Sequence, residues 1–577
     1  MPVLRLALAQ TNPRVGDLVS NAEKIRHAMG RAREQDAHLV AFPEMSLTGY
    51  PIEDLALRRD FLERAHDSLT QLAADIAADG NGDTVAIIGL PTGPVSPTLR
   101  TTHPHAMAHN SAAVVQNGRV LGYYHKQHLP NYSVFDEYRN FVPGTRATAI
   151  RLLDTDIALI ICEDMWQENG PLDALDALKP GLILVINGSP FERDKTDVRH
   201  KLAHAHANAM DAPLAYVNLV GGQDDLVFDG QSFVMLPSGT ISDRAVAFDE
   251  DLVITDINVA SHVSRADHHL ETDVNVIVTD PVPSISGSSV DRIEPASMSE
   301  VEEIWRALTL GLRDYVNKNN FPSVILGLSG GIDSAVCASL AVDALGPERV
   351  VGVSMPSKYS SDHSQTDAAD LAHRLSIRFQ TEPIANLVSP LETQLGLDSV
   401  AAENLQARIR GVILMGLANQ EGHLTLTTGN KSELAVGYST IYGDSVGGFA
   451  PLKDVPKTLV WELARWRNSR AVALGETPPI PENSISKPPS AELRPDQTDQ
   501  DSLPPYEVLD DILERYISDH ASFGDIVGAG HDAATVSRII GLVNRAEWKR
   551  RQGAIGPKIS GMAFGRDRRL PITAFFG

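Results

Sequence analysis

Three local patterns in the first half of the sequence contain reactive side chains, and two of them end a short apolar run. Glu44 ends Phe-Pro-Glu, Lys126 lies in His-Lys, and Cys162 begins Cys-Glu-Asp. An acyl-transfer site needs a nucleophile, a base for its proton, and a cation or donor for the developing oxyanion. Cysteine, glutamate and lysine supply these roles in that order. Taken singly, each residue also fits a plainer interpretation, as a small buried cysteine, a solvated carboxylate and a surface lysine.

A glycine-rich turn in the second half has the composition of a phosphate-binding loop. It follows an apolar run and opens a helical stretch, so its glycines admit phosphate oxygens and the helix start offers free N–H groups. The serines add hydroxyl groups, and Asp333 would hold Mg²⁺ against the phosphates. The turn departs from a Walker A loop because it has no Gly-Lys-Ser/Thr ending. The predicted phosphate-binding residues are Gly327, Leu328, Ser329, Gly330, Gly331, Ile332, Asp333 and Ser334.

The elements that position the first set of residues alternate between strands and helices. Residues 17–35 have apolar residues near helical spacing, with Ser20 as a candidate cap. Such alternation predicts a layered α/β fold, and it fades after about residue 260. The apolar runs that read as buried strands cover residues 3–10, 38–42, 85–90, 112–115, 157–162 and 182–187.

A polar stretch rich in proline and serine separates the two halves and predicts an interdomain linker. After it a second α/β series begins, and a Pro-rich region at residues 477–505 interrupts that series. Its predicted elements are a helix from Glu300, a strand at 323–328, and helices at 333–345, 362–375, 403–420 and 457–469. The predicted domains are therefore residues 1–265 and 300–577, joined by a linker at 266–299.

The composition excludes several classes of protein. A net charge of −24 argues against a nucleic-acid binder, because such proteins normally present a basic face. Two cysteines, Cys162 and Cys337, exclude a disulfide scaffold and suit a reducing, cytoplasmic compartment. No apolar run approaches the roughly 20 residues that span a bilayer. The apolar start reads as a buried strand rather than a signal peptide, because no cleavage-site pattern follows it.

The three reactive residues, in this order and at strand ends, resemble the nitrilase superfamily, whose signature is a Glu-Lys-Cys triad. The resemblance covers the first predicted domain and implies a four-layer αββα sandwich. It implies that Glu44 accepts the thiol proton, Cys162 attacks a carboxamide carbon and Lys126 steadies the oxyanion. Glu137 stands where the superfamily has a second, assisting glutamate.

The glutaminase branch of that superfamily implies three glutamine-binding residues, Tyr132, Ser189 and Lys195. Ser189 lies in Asn-Gly-Ser-Pro-Phe after a predicted strand, where its hydroxyl would bind the α-amino or carboxylate end of glutamine. The plainer interpretation of Ser189 is a turn former. Its binding role therefore depends on the resemblance.

The glycine-rich turn resembles the Ser-Gly-Gly-x-Asp-Ser pyrophosphatase loop of ATP-dependent adenylating ligases, which cut ATP between the α- and β-phosphates. That class implies a doubly wound parallel sheet of the adenine nucleotide alpha hydrolase type. The loop identifies the class and not one member. Segments that narrow the resemblance to NAD synthetases lie at residues 355–362, 427–433, 442–454 and 486–499.

The same resemblance implies the remaining site residues. Thr428 would contact ATP, and Glu433 would serve Mg²⁺ or the nicotinate dinucleotide. Asn404 and Lys549 would contact the deamidated dinucleotide, although the cations around Lys549 also read as a surface cluster. Residues 486–499 match a mobile loop that closes over the ligands, and their composition also fits a disordered linker.

Together the two halves resemble the glutamine-dependent NAD synthetase family. The resemblance implies substrates glutamine, nicotinate adenine dinucleotide and ATP, with Mg²⁺ held by Asp333 and Glu433. It also implies a homo-oligomer, an octamer, without nucleic-acid or membrane partners. Two alternatives stay open: another ammonia-using adenylating ligase with this glutaminase, and an amidase whose second half only senses a nucleotide.

Overall fold

The computed structural model divides into two compact units. Unit 1 comprises Met1–Gly221 and Phe228–Ser297, and unit 2 comprises Gly222–Val227 and Met298–Gly577. Much of the predicted linker, and Asp496 in the predicted mobile loop, lie outside the described residues. The structure describes residues 2–95, 108–260, 274–282, 284–285, 295, 297–495 and 497–575.

The strands before residue 298 form two large sheets and one short hairpin. They are β1 (Val3–Gln10), β2 (Leu39–Ala41), β3 (Val85–Thr92), β4 (His109–Gln116), β5 (Arg119–His125), β6 (Ala147–Leu152), β7 (Thr155–Ile161), β8 (Leu182–Asn187), β9 (Leu214–Asn218), β10 (Val220–Gln223), β11 (Leu226–Asp229), β12 (Phe233–Met235), β13 (Ile241–Arg244), β14 (Asp251–Asn258) and β15 (Val274–Val278). One sheet has the order β14-β1-β2-β3-β4-β5, the other has the order β13-β12-β9-β8-β7-β6-β15, and β10 pairs with β11.

The same part of the chain contains the helices α1 (Leu18–Arg33), α2 (Arg59–Ala78), α3 (Glu137–Asn140), α4 (Pro171–Asp176) and α5 (Lys195–Met210). All of them except the single-turn α3 pack on the outer face of one of the two large sheets. Leu4 and Leu6 of β1 share one apolar core with Ile157 of β7, so the two sheets pack face to face. Ala7, on the opposite side of β1, packs with Leu72 of α2, and α4 and α5 pack on the second sheet. The predicted four-layer αββα sandwich is confirmed.

The first helix is capped differently from the prediction. The side chain of Asp17 accepts a hydrogen bond from the backbone N–H of Ser20 at 3.2 Å, so Asp17 is the cap. Ser20 lies inside the first turn, and the prediction of a Ser20 cap is wrong. The 20-residue helix α2 is absent from the predicted elements.

Two segments fall on an unexpected side of the predicted domain limits. Strand β15 lies inside the predicted linker. It pairs in parallel with β6 and completes the edge of that sheet, and four of its five residues are valine or isoleucine. The segment Gly222–Val227 belongs to unit 2 although it precedes residue 265. Its Gly222 N–H donates to the Asp314 carboxylate at 2.7 Å.

Unit 2 contains a smaller, fully parallel sheet. Its strands are β16 (Val324–Gly327), β17 (Val350–Ser354), β18 (Arg378–Thr381) and β19 (Leu424–Thr425), in the order β18-β17-β16-β19. The helices are α6 (Glu300–Lys318), α7 (Ile332–Leu345), α8 (Asp362–Arg374), α9 (Ala385–Leu395), α10 (Ser399–Glu421), α11 (Lys431–Val436), α12 (Lys457–Ala473), α13 (Glu482–Ser486), α14 (Tyr506–Ile517), α15 (Phe523–Gly528), α16 (Ala533–Arg545) and α17 (Glu547–Arg550).

The strand order of unit 2 reverses at β16. The connections from β16 to β17 and β18 run one way through α7 and α8, and the return to β19 runs the other way through α9 and α10. Since such crossovers are right-handed, the two pairs of helices cover opposite faces, which confirms the doubly wound sheet. Ligands of these folds bind outside the carboxyl ends of the strands at the reversal, between β16 and β19. No helix in the described part of the chain is long and apolar enough to cross a bilayer.

Candidate active sites

Cys162 stands at a sharp turn that ends strand β7. It is buried, its φ of 44° lies in the left-handed region, and it opens a short 3₁₀ turn. Two residues on, the buried carboxylate of Asp164 accepts the Tyr124 hydroxyl at 2.7 Å and the N–H groups of Gln127 and His128 at 3.1 and 2.9 Å. Asp164 therefore ties the cysteine turn to the chain on either side of position 126.

Glu44, Lys126 and Glu137 meet in one buried cluster, as the sequence predicts. The Lys126 ammonium donates to Glu44 Oε1 at 2.8 Å and to the two oxygens of Glu137 at 2.9 and 3.0 Å. None of the three side chains is more than 4% exposed. Tyr50 donates its hydroxyl to Glu137 at 2.9 Å. An unpaired charge would be costly at such a buried position, so each of these charged groups depends on its oppositely charged partner.

Two further contacts to Glu44 escaped the sequence analysis. The side-chain amide of Asn110 donates to Oε1 at 2.6 Å, and the backbone N–H of Gly188 donates to Oε2 at 2.8 Å. A Cβ on Gly188 would lie 3.1 Å from that same oxygen, so glycine gives the carboxylate its room. Asn110 sits in an otherwise ordinary strand, 66 positions from Glu44, and no local pattern distinguishes it.

The electrostatics of this cluster favour a resting thiol beside charged partners. Burial raises the pKa of the Cys162 thiol well above its usual range; the charge of Glu44 adds to this effect and that of Lys126 opposes it. Burial also raises the pKa of Glu137 to about 7, against the influence of Lys126. For Lys126, burial lowers the pKa, but the charges of Glu137 and Glu44 outweigh it and the pKa is raised. As a nucleophile, Cys162 would therefore need a base to take its proton. Glu44 is a candidate for that base, because its charge acts on the Cys162 thiol.

The three predicted glutamine-binding residues lie in different surroundings. Tyr132 is 52% exposed and donates its hydroxyl to Glu163, the neighbour of Cys162, at 2.9 Å. Ser189 is buried, and its hydroxyl accepts a hydrogen bond from the guanidinium of Arg199 at 3.2 Å. Lys195 is partly exposed and begins helix α5. Arg199 escaped the sequence analysis because a helical arginine gives no local indication of such a role.

The predicted phosphate loop lies at the strand reversal of unit 2. The Ser329 hydroxyl accepts the Gly331 N–H at 3.2 Å, and the Ser334 hydroxyl donates to the Gly331 carbonyl at 3.0 Å. Gly330 has a φ of +76°, and a Cβ there would lie 2.3 Å from the Ser364 carbonyl oxygen. A side chain at position 330 is thus excluded both by conformation and by space.

One cleft collects most of the predicted nucleotide-binding residues. Gly330 is not among the residues that line it, and the Gly330 carbonyl accepts the Ser484 hydroxyl at 3.0 Å. The cleft also reaches Glu433, Lys457 and part of the predicted mobile loop. The predicted ATP-binding residues that line it are Gly327, Leu328, Ser329, Gly331, Ile332, Asp333, Ser334 and Thr428.

Asp333 and Glu433, the predicted metal ligands, share a lysine that the sequence analysis did not single out. The Lys457 ammonium contacts the Asp333 carboxylate and lies 3.6 Å from Glu433 Oε1. Asn430 donates to Asp333 at 2.9 Å and caps α11 by accepting the Glu433 N–H at 3.0 Å. Burial raises the pKa of Glu433 to about 8, and the charge of Asp333 adds to the rise.

The donor set at this point fits a cation that is shared with a polyphosphate. Carboxylate oxygens are the ligands that Mg²⁺ prefers, and Mg²⁺ commonly takes one or two of them with substrate phosphates. Within the described ranges, no group of three or more histidine, cysteine, aspartate or glutamate side chains is arranged to hold a metal by itself. Asp333 and Glu433 would therefore share Mg²⁺ with the phosphates of ATP.

Asn404 and Lys549 both reach the segment that follows α11. Asn404 accepts the Thr440 hydroxyl at 2.7 Å. The Lys549 ammonium donates to the carbonyl oxygens of Gly437 and Ser439 at 2.9 Å each. The structure brings these two predicted dinucleotide contacts to one loop, although they lie far apart in sequence.

The cationic run around Lys549 is less available than the sequence suggests. Arg550 is buried and pairs with Glu547 at 2.8 Å. Arg551 pairs with the same carboxylate, also at 2.8 Å. Two of the three cations thus hold α17 in place, which leaves Lys549 as the candidate ligand contact.

The Pro-rich segment packs along the cleft. Glu492 accepts the hydroxyls of Ser361 and Ser364 at 3.0 and 2.6 Å, and Gln406 donates to the Leu493 carbonyl at 3.0 Å. Residues 487–493 line the cleft. The composition of this segment also fits a disordered linker. These contacts show that the segment is not a linker without contacts.

Comparisons with known proteins agree with both halves. The family profile described as carbon-nitrogen hydrolase matches residues 5–265, and the profile described as NAD synthase matches residues 304–553. A curated relative from Acinetobacter baylyi, named glutamine-dependent NAD(+) synthetase, is 43% identical over 580 residues, covering 99% of each chain. A relative of that name from Aquifex aeolicus is 44% identical over 589 residues, covering 100% of each chain.

Solved structures give the same result over the full length. The glutamine-dependent NAD+ synthetase from Acinetobacter baumannii in complex with ADP has a TM-score of 0.73 and 40% identity, covering 99% of this chain and 98% of the other. A glutamine-dependent NAD(+) synthetase from Cytophaga hutchinsonii has a TM-score of 0.78 with the same coverage. At 22% identity, the second structure supports a shared fold and nothing further.

Proposed function

The chain belongs to the glutamine-dependent NAD(+) synthetase family, and on that premise we propose which residues perform each half of the reaction. The enzyme amidates nicotinate adenine dinucleotide to NAD with ATP and glutamine. The observation that carries the assignment is the buried Glu44–Lys126–Glu137 cluster beside Cys162, in a chain whose Asp333 loop lines a nucleotide-sized cleft. A nitrogen donor and an activating site are thus both provided.

In unit 1, Cys162 attacks the carboxamide carbon of glutamine while Glu44 takes the thiol proton. The protonated resting thiol requires such a base, and the Asn110 and Gly188 donors keep the carboxylate oriented. Lys126 stabilises the tetrahedral oxyanion. Glu44 then gives its proton to the leaving nitrogen, ammonia departs, and water hydrolyses the γ-glutamyl thioester to release glutamate.

Glutamine itself is held by Tyr132, Ser189 and Lys195. The buried Ser189 follows Gly188, whose N–H holds Glu44, so a group bound at Ser189 lies next to the base. Arg199 fixes the orientation of the Ser189 hydroxyl and is itself paired with Asp229 at 2.7 Å. In this proposal, Tyr132, Ser189 and Lys195 hold the polar end of glutamine while its amide reaches Cys162.

In unit 2, the carboxylate of nicotinate adenine dinucleotide attacks the α-phosphorus of ATP, and pyrophosphate leaves. Ammonia then displaces AMP and forms the amide. The Ser329 and Ser334 hydroxyls and the start of α7 hold the phosphates, and Thr428 contacts the nucleotide. Asp333 and Glu433 would hold Mg²⁺, which would supply charge neutralisation on the polyphosphate. Asn404, Glu433 and Lys549 bind the dinucleotide, with Glu433 facing both ligands.

The test is a product assay with purified enzyme, glutamine, ATP, Mg²⁺ and nicotinate adenine dinucleotide. We expect NAD, AMP and pyrophosphate in equal amounts, with at least as much glutamate. Another acceptor with higher turnover would favour a different adenylating ligase. Glutamate release without pyrophosphate, for any acceptor, would favour an amidase that only senses a nucleotide. We also propose that the protein forms a homo-oligomer, an octamer. Analytical sedimentation would measure its mass in solution.

A further inference from the structure

Lys457 occupies the centre of the carboxylate cluster in the ATP cleft. Its side chain is 2% exposed, and its ammonium contacts Asp333 and lies 3.6 Å from Glu433. It also lies 5.8 Å from the centre of the Trp461 ring and 5.4 Å from that of Tyr506. The ammonium is therefore held by two carboxylates and two aromatic faces.

The backbone fixes this lysine independently of its ammonium. The Lys457 N–H donates to the Ser432 hydroxyl at 2.9 Å, and the Ser432 hydroxyl in turn contacts Asp510. Thr458 donates to Asp510 through both its N–H and its hydroxyl, at 2.9 Å each. Since these contacts use main chain or neighbouring side chains, a change at the end of the Lys457 side chain leaves the start of α12 anchored.

The acidic groups around the Lys457 ammonium would also attract a divalent cation. Asp333 and Glu433 are the carboxylates proposed for Mg²⁺, and a third, Asp499, also acts electrostatically on Lys457. One ammonium therefore stands among acidic groups that a divalent cation would also seek. A divalent cation that approached without phosphates would meet carboxylates already paired with a positive charge, and the two cations would repel each other. The phosphates of ATP supply the negative charge that overcomes this repulsion.

We propose that Lys457 is a positioning residue of the ATP site, whose ammonium holds Asp333 and Glu433 together and makes divalent-cation binding depend on the nucleotide. This inference rests on the proposed function, which assigns the two carboxylates to Mg²⁺. It adds that the site has a resident cation, so that the metal binds tightly only together with ATP. A merely structural lysine would have no such effect on metal affinity.

The test measures Mn²⁺ binding to the full-length protein by the electron paramagnetic resonance signal of free Mn²⁺. Titrations run with and without α,β-methylene ATP, which cannot be cut between its α- and β-phosphates. Wild-type protein should bind Mn²⁺ weakly alone and strongly with the nucleotide. In Lys457→Met, the affinity without nucleotide should rise at least about tenfold, because the repelling ammonium is gone. The nucleotide should then strengthen Mn²⁺ binding by a smaller factor than in wild type, because its phosphates still supply ligands but no longer have a repulsion to overcome.

Three variants make the result decisive. Lys558→Met removes another buried lysine, which pairs with Asp567 at 3.0 Å outside the cleft, and should leave Mn²⁺ binding unchanged. Lys457→Gln, which keeps a hydrogen-bond donor without the charge, should behave as Lys457→Met and replaces it if that variant does not fold. Asp333→Asn combined with Lys457→Met should lose the gained affinity, since one carboxylate ligand is removed.

Two failures can be told apart. If Lys457→Met and Lys457→Gln bind Mn²⁺ without nucleotide no better than wild type, the inference is overturned, whatever the enzyme makes. If wild-type protein forms no NAD from ammonium, ATP and nicotinate adenine dinucleotide, the proposed function fails instead. If Asp333→Asn with Lys457→Met keeps the gained affinity, the metal lies elsewhere and the inference is also overturned.

Discussion

Replacing Lys126 by methionine should remove the charge that holds two buried carboxylates together. The ammonium makes three contacts of 2.8 to 3.0 Å with Glu44 and Glu137. Breaking a buried ion pair by removing one partner costs about 3–5 kcal/mol of unfolding free energy. We expect a loss of that size in unit 1 near pH 8, and a fall of about 10²–10³ in glutamine hydrolysis for want of an oxyanion partner.

The size of the stability loss should depend on pH. The pKa of Glu137 is raised to about 7 in the folded protein, from an ordinary value of 4.5, and Lys126 opposes that rise. Without Lys126 the folded pKa of Glu137 rises further. A carboxyl group with a raised folded pKa favours the folded state below its unfolded pKa and loses that contribution as pH rises through the folded value. The deficit of Lys126→Met should therefore be small near pH 4.5 and grow beyond pH 7.

The double variant Lys126→Met with Glu137→Gln provides the matched control. It removes one of the two stranded carboxylates, while Glu44 keeps its Asn110 and Gly188 donors. We expect it to recover roughly 2 kcal/mol of stability, the cost of an unsatisfied charged group, and no activity. Urea-dependent hydrogen exchange of peptides from residues 108–260, at about pH 6 and about pH 8, measures unit 1 separately. Equal stability of Lys126→Met and wild type at the higher pH would refute the reasoning.

Three further predictions concern the division of labour. Cys162→Ala should stop NAD formation with glutamine and retain it with ammonium. Cys337→Ala, a change at a packing cysteine, should retain both activities. Loss of both activities in a folded Cys162→Ala protein would contradict the two-site assignment. Asp333→Ala or Glu433→Ala should lower synthesis with either nitrogen donor by a few orders of magnitude, as several kcal/mol of charge stabilisation are lost, and near-normal ammonium-dependent rates would remove these residues from the mechanism. Gly330→Ala should weaken ATP binding in a calorimetric titration and leave glutamine hydrolysis intact, because its Cβ would lie 2.3 Å from a carbonyl oxygen of α8; unchanged affinity would show that the loop yields easily.

Local patterns were enough to predict the elements that carry the reactive residues. The runs ending before Glu44, before Cys162 and before the Ser329 loop are strands in the structure, because buried parallel strands are apolar throughout. Strand β15 was missed, since its five residues lie in a polar, Pro-rich stretch and gain their stability from pairing with β6. Pairing between distant segments leaves no local periodicity.

The supporting residues of both sites were beyond reach for the same reason. Asn110 and Gly188 meet Glu44 across 66 and 144 positions of sequence. Lys457 lies 124 positions of sequence from its partner Asp333. A lysine at the start of a helix gives no local indication of such a contact. Residue type and spacing therefore predicted the groups that react, and tertiary pairing decided which groups hold them.

The burial of Cys162 also bears on how the enzyme withstands oxidants. Peroxides and general alkylating reagents attack the thiolate, and a thiol whose pKa is raised well above its usual range offers little of it. In the proposed mechanism, the deprotonated sulfur arises only when Glu44 takes the proton during attack on an amide. A compound that reaches Cys162 must therefore enter as glutamine does and place its electrophile next to Glu44, so selective inhibitors of this thiol should be glutamine-shaped.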